Sequence, residues 1–150
     1  MKIKCISNLG ASLRPYEYHP LNEDEFGRFG CSSISEYGEV KIGSEYLVMG
    51  MIMFKSYLAY LIDDNGFISA CPCQLFEVIE DNIVSEWHFR LIEREEDIYP
   101  FVQAIWGYYE LCYNKKSYEK LIIEKDEEEE YIYFRRKIEL EKELSQIPLT

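Results

Sequence analysis

Histidine is scarce: His19 and His88 are the only two in 150 residues. A serine or cysteine nucleophile needs an imidazole within reach. His19 sits between Tyr18 and Pro20 in an irregular stretch, and His88 lies between Trp87 and Phe89 in an expected strand. Base is also short, with 16 Lys and Arg against 28 Asp and Glu and a net charge of −12. Non-specific nucleic-acid binding needs a basic face making about 6 to 10 phosphate contacts, and this composition argues against it. No glycine-rich phosphate loop is present, because Gly27 and Gly30 lead into Cys31-Ser32-Ser33 without a lysine. No apolar run reaches the ~20 residues of a spanning helix, since Lys55 and Ser56 interrupt the stretch from Tyr46 to Ile62. Ser7, Asn8 and Gly10 likewise interrupt any signal-peptide core, so neither a membrane role nor export is expected.

The five cysteines are Cys5, Cys31, Cys71, Cys73 and Cys112. An odd number in a chain long enough to fold without staples disfavours a disulfide framework and favours a reducing, cytoplasmic home. Cys71-Pro72-Cys73 has the wrong spacing for a redox pair or a zinc site, and reads as two small thiols at a strand end. With 28 acids, a pair suited to glycoside chemistry carries no information. We therefore expect no catalytic residue, metal or cofactor. The alternative of a small hydrolase or ligand-binding enzyme domain would need distant residues to converge.

What the chain does have is apolar bulk, at 47% hydrophobic and 15% aromatic residues, enough for one domain spanning 1–150. Residues 9–37 are rich in Gly and Pro, so residues 1–37 are expected as an irregular lead-in. Residues 38–92 carry the β-type signal. Tyr46 to Phe54 and Tyr57 to Ile62 read as a hairpin turning near Lys55-Ser56, and Asn65-Gly66 suits a tight reversal into Phe67 to Cys71. Leu75 to Ile79 adds a fourth segment, and Trp87 to Leu91 alternates as a half-exposed strand would. Residues 93–150 contain a connecting segment and, from Asp126 to Leu144, a stretch free of Gly and Pro that predicts a helix. Its expected packing face is Tyr133, Phe134, Lys137, Ile138, Leu140 and Leu144, with Ser117 as a possible cap to the preceding helical turn and Pro148 beyond the end. The expected class is α+β: a small antiparallel SH3-like barrel or bent sheet with the C-terminal helix packed on it.

Charge is uneven, from +3 over residues 1–16 to −6 over 77–97. Two acidic clusters, Glu23-Asp24-Glu25 and Glu93, Glu95, Glu96, Asp97, read either as solvated loops or as a surface that attracts a basic partner. By strand alternation His88 faces opposite to Trp87 and Phe89, toward solvent or a partner. Thirteen tyrosines exceed what a core this size readily conceals, and tyrosine beside carboxylate suits a binding surface. The protein-binding candidates are Glu23, Asp24, Glu25, Trp87, His88, Glu93, Glu95, Glu96 and Asp97.

Gly43-x-x-Tyr46-x-Val48-x-Gly50, Tyr60-Leu61-Ile62-Asp63, Pro72, Leu75-Phe76-Glu77-Val78 and Trp87 together resemble small bacterial proteins with an SH3-like barrel. Gly107-Tyr108-Tyr109-Glu110-Leu111 and the charged terminal helix are similar too. Those proteins include candidate immunity proteins of polymorphic-toxin and contact-dependent-inhibition loci. The resemblance implies a non-enzymatic acidic protein that neutralises a basic toxin domain, with no nucleic acid or membrane as partner. It carries over no site residue. A peptide-binding adaptor using a barrel edge is the competing reading.

Overall fold

The computed structural model describes residues 1–83, 86–93 and 95–146. Leu58 to Ile62 is apolar at every position, as suits a strand covered on both faces. It forms most of β4 (Leu58–Asp64), the best-buried strand of an antiparallel five-stranded sheet. The others are β3 (Gly50–Met53), β5 (Phe67–Pro72), β7 (His88–Leu91) and β8 (Ala104–Gly107), in the order β5-β4-β3-β8-β7. Asn65 and Gly66 take φ of 48° and 93°, the left-handed pair a two-residue hairpin turn requires, and join β4 to β5. A second, three-stranded sheet has the order β2-β1-β6, from β1 (Lys2–Cys5), β2 (Glu45–Leu47) and β6 (Phe76–Glu80).

Adjacent residues of β4 belong to different cores. Leu61 packs with Ile52, Ile68, Ile105 and the helical residues Leu111, Leu121, Tyr133 and Leu140. Tyr60 and Ile62 pack with Ile3, Val48 and Leu75 and with Leu13 and Phe29 of the lead-in. The five-stranded sheet is thus the middle layer, helices on one face and the smaller sheet on the other. Gly50 and Gly107 lie opposite one another across β3 and β8. A side chain at either would meet Leu111 within 3 Å, so the two glycines make room for the short helix α1 (Tyr109–Tyr113).

The α+β class, the antiparallel pairing and the C-terminal helix stand as expected, but among the described residues the strands form two sheets and no closed barrel. The sheets also extend beyond 38–92: β1 is in the supposed lead-in and β8 in the supposed connecting segment, and β6 pairs with β1. The lead-in is not a loose appendage. It contains a 3₁₀ turn over Gly10–Tyr16 and contributes Leu13, Phe29 and Cys31 to the second core.

The C-terminal helix α2 (Glu127–Ser145) is capped by Asp126, whose side chain accepts from the Glu129 N–H at 3.1 Å. Ser117 is fully buried, and its hydroxyl donates to Glu129 Oε2 at 2.8 Å rather than capping a helix. Tyr133 and Leu140 face the core as expected, whereas Ile138 is exposed. Pro148 lies outside the described residues. No helix among the described residues is long and apolar enough to cross a membrane.

Candidate functional site

The last strand of the larger sheet has an inverted alternation. On β7, His88 and Arg90 are half-buried while Phe89 and Leu91 are 48% and 66% exposed, the reverse of a strand hiding its apolar face. Arg90 explains the inversion: it donates to the Cys112 carbonyl at 3.2 Å and pairs with Glu96, so its charge is satisfied beneath the strand. Phe89 is left on the outer face, stacked at 4.9 Å on Trp106, which pairs in turn with Met51.

β7 is an edge strand, and its register fixes what the edge presents. The Ile92 N–H donates to the Gln103 carbonyl at 2.9 Å, so residues 88 and 90 also turn their backbone groups toward β8. Phe89 and Leu91 therefore direct theirs away from the sheet. Beyond them the chain runs through exposed Glu93, Glu95 and Asp97 to exposed Tyr99 and Phe101. Exposed apolar residues, Phe89 and Leu91 before and Tyr99 and Phe101 after, thus flank the exposed acids Glu93, Glu95 and Asp97. Glu96 is withdrawn from that set. Its hydrogen bond to Arg90 holds its carboxyl below the ordinary value and ties it to the protein.

Glu23, Asp24 and Glu25 are exposed on a loop fixed through its backbone. Arg14 donates to the carbonyls of Asn22 and Glu25 at 3.1 and 2.5 Å, and Ser33 Oγ donates to that of Glu23 at 2.7 Å. The loop is moored to the β3–β4 turn by Ser56 Oγ donating to the Arg28 carbonyl at 3.0 Å and by Phe29 against Tyr57. Leu91 pairs with Ala104, and Ala104 with Met53 just before that turn. Both acidic loops are therefore anchored at one end of the sheet.

Trp87 and His88 lie at the other end of β7, away from the acids with which they were grouped. His88 does not face solvent alone: its ring packs edge-on against Tyr109 and Tyr113 of α1, both at 5.5 Å. With Trp87 it lines a cleft of about 550 Å³ between β7, the start of α1 and helix α2, floored by Met49, Tyr108 and Leu140. Arg136 is fixed at the rim, with Nε 3.0 Å from Glu110 Oε2 and Nη1 3.1 Å from Glu139. Burial is the largest single influence on Glu110 and works against its charge, but hydrogen bonds from Arg136 and a backbone N–H, with the charges of Arg136 and Arg135, together hold the carboxyl below its usual value. The buried Tyr108 hydroxyl has no hydrogen-bond partner among the described residues.

Sequence reasoning named Tyr108 and Tyr109 within the resemblance, and it missed Phe89, Leu91, Tyr99 and Phe101 as exposed, since alternation alone places Phe89 and Leu91 inside. It could not link Tyr108 to Arg136 and Glu139, which arrive from another element. No protein-family model, curated protein or solved structure matches the chain.

Proposed function

We propose that this chain is a non-enzymatic acidic binding protein that neutralises a basic toxin domain by direct contact, as a bacterial immunity protein acting in the cytoplasm. The observation that carries the reading is a set of exposed residues in which Phe89, Leu91, Tyr99 and Phe101 flank the acids Glu93, Glu95 and Asp97. Interfaces combine aromatic anchors with charge, and this segment supplies both, beginning on the β7 edge. Acid beside such anchors suits a nuclease domain in particular, whose phosphate-binding surface is basic. The net charge of −12 favours the same partners over long range.

The test is co-expression with a toxin domain encoded beside this chain, followed by affinity measurement. Protection is expected, and the combined changes Glu93→Lys, Glu95→Lys and Asp97→Lys should weaken binding at least tenfold while leaving the unfolding midpoint nearly unchanged. Failure of the unaltered protein to protect against or bind such a toxin removes the immunity reading. Unaltered binding by the triple variant removes this loop from the interface.

A second reading, a peptide-binding adaptor, is favoured by the outward backbone groups of Phe89 and Leu91, which could take an added strand. A peptide that binds through this edge with no dependence on the acidic loop would favour it.

A further inference from the structure

The cleft beside His88 has features of a ligand site that the β7 edge does not require. Its size, about 550 Å³, is within the ~300 to 1,000 Å³ range of small-molecule pockets and is larger than one side chain needs. Trp87, His88 and Tyr109 supply aromatic walls, and Met49 and Leu140 an apolar floor. Tyr108 is only 5% exposed, yet its hydroxyl lacks a partner among the described residues. A buried hydroxyl without a partner carries a desolvation cost, which a donor or acceptor that reached it would relieve. Burial and the nearby carboxylates of Glu129 and Glu110 raise this hydroxyl's pKa, so it stays protonated and able to donate or accept.

The rim decides the ligand's charge. Glu86, Glu139 and Glu143 face one guanidinium, that of Arg136, which is already engaged by Glu110 and Glu139. An anion would meet surplus carboxylate. A cation would meet that carboxylate together with aromatic faces, which attract cations most strongly when water is excluded.

We propose that this cleft binds an organic cation with a flat apolar body, the charge toward Glu86 and Glu143 and the body between Trp87 and Tyr109. Either a free small molecule or an arginine side chain of a protein has this chemistry. The cleft and the acidic end of β7 are separate in the fold, so the outcome here is independent of whether the toxin-binding reading holds.

The probes are benzamidinium, the neutral isostere benzamide, the anion benzoate, and the peptide acetyl-Gly-Arg-Gly-amide. Binding is read from the indole N–H signals of the two tryptophans in the intact protein, with Trp106→Phe used to assign that of Trp87. Saturable movement of the Trp87 signal by benzamidinium, at least tenfold tighter than by benzamide and absent with benzoate, supports the proposal. Glu143→Gln and Tyr109→Ala, both outside the buried core, should each weaken it at least threefold. Tighter binding of the peptide than of benzamidinium assigns the cation to a protein side chain, and the reverse order assigns it to a free small molecule. No movement with either cation, or equal affinity for all three benzene derivatives, overturns the proposal whether or not the variants fold.

Discussion

Tyr133 on the C-terminal helix donates its hydroxyl proton to Asp63 Oδ1 at 2.9 Å, joining residues 70 positions apart. Lys137, one helical turn on, reaches the same oxygen at 2.7 Å, while Asp63 Oδ2 accepts from the Gly66 N–H at 3.3 Å. One carboxylate therefore closes the β4–β5 turn and pins α2 to it. Tyr133→Phe should cost about 1 to 2 kcal/mol, a single buried hydrogen bond. Asp63→Ala, which strands all three donors, should cost about 3 kcal/mol or more. Urea unfolding of both single variants and the double variant checks this, and additive effects would show that the two residues do not interact.

The buried Glu129 carboxylate is held differently. It occupies the position from which a capping glutamate usually reaches back to the cap residue's N–H, but the Asp126 N–H is taken by the Lys120 carbonyl at 2.9 Å. Glu129 turns inward to Ser117 instead. Ser117→Ala should therefore destabilise by about 1 to 3 kcal/mol, more than an exposed serine would, because it leaves a buried carboxylate poorly paired. Asp126→Ala should cost about 1 kcal/mol through loss of the cap. Thermal unfolding distinguishes the two sizes.

These anchors show where sequence reading stopped. The helix over Asp126 to Leu144, the Asn65-Gly66 turn and the strands on either side of it were legible, because each rests on local periodicity or on backbone angles few residues tolerate. β1 and β8 were not: four residues such as Lys2–Cys5 or Ala104–Gly107 carry too little pattern, and become strands only when distant neighbours pair with them. At the site, the exposed acids were readable as charge. The exposure of Phe89 and Leu91 was not, since it follows from Arg90 finding the Cys112 carbonyl and Glu96 beneath the sheet.

The cysteines should behave as packing residues with graded protection. Burial, the largest cause, pushes the Cys71 thiol up to about 12, so at pH 8 it remains protonated and a poor nucleophile. Cys73, the half-buried member of the pair, should react first with iodoacetamide in the native state, and Cys71 only on unfolding. The raised native value sets the sign of the pH dependence. The contribution of the neutral Cys71 thiol is fully present below the ordinary thiol pKa of about 8.5 and is lost as pH rises through 12. Cys71→Ala should flatten that alkaline limb in denaturant midpoints measured from pH 8 to 10. Rapid native labelling of Cys71 would contradict its placement.

On the β7 edge, charge and apolar contact should separate kinetically. Glu93, Glu95 and Asp97 are exposed and act at a distance, so their reversal to lysine should slow association with a basic partner and reduce its dependence on salt. Phe89 and Leu91 act only on contact, through apolar area and the outward backbone of the strand. Phe89→Ser and Leu91→Ser should therefore accelerate dissociation tenfold or more while leaving the association rate within about threefold. Both serine variants should keep their unfolding midpoints within a few degrees, because the side chains they remove are largely solvent-exposed. Surface-binding kinetics at two salt concentrations resolve the two effects. If the acid and apolar variants changed the same rate constant, one residue set would be acting through the other, and the division of labour along Phe89 to Phe101 would be wrong.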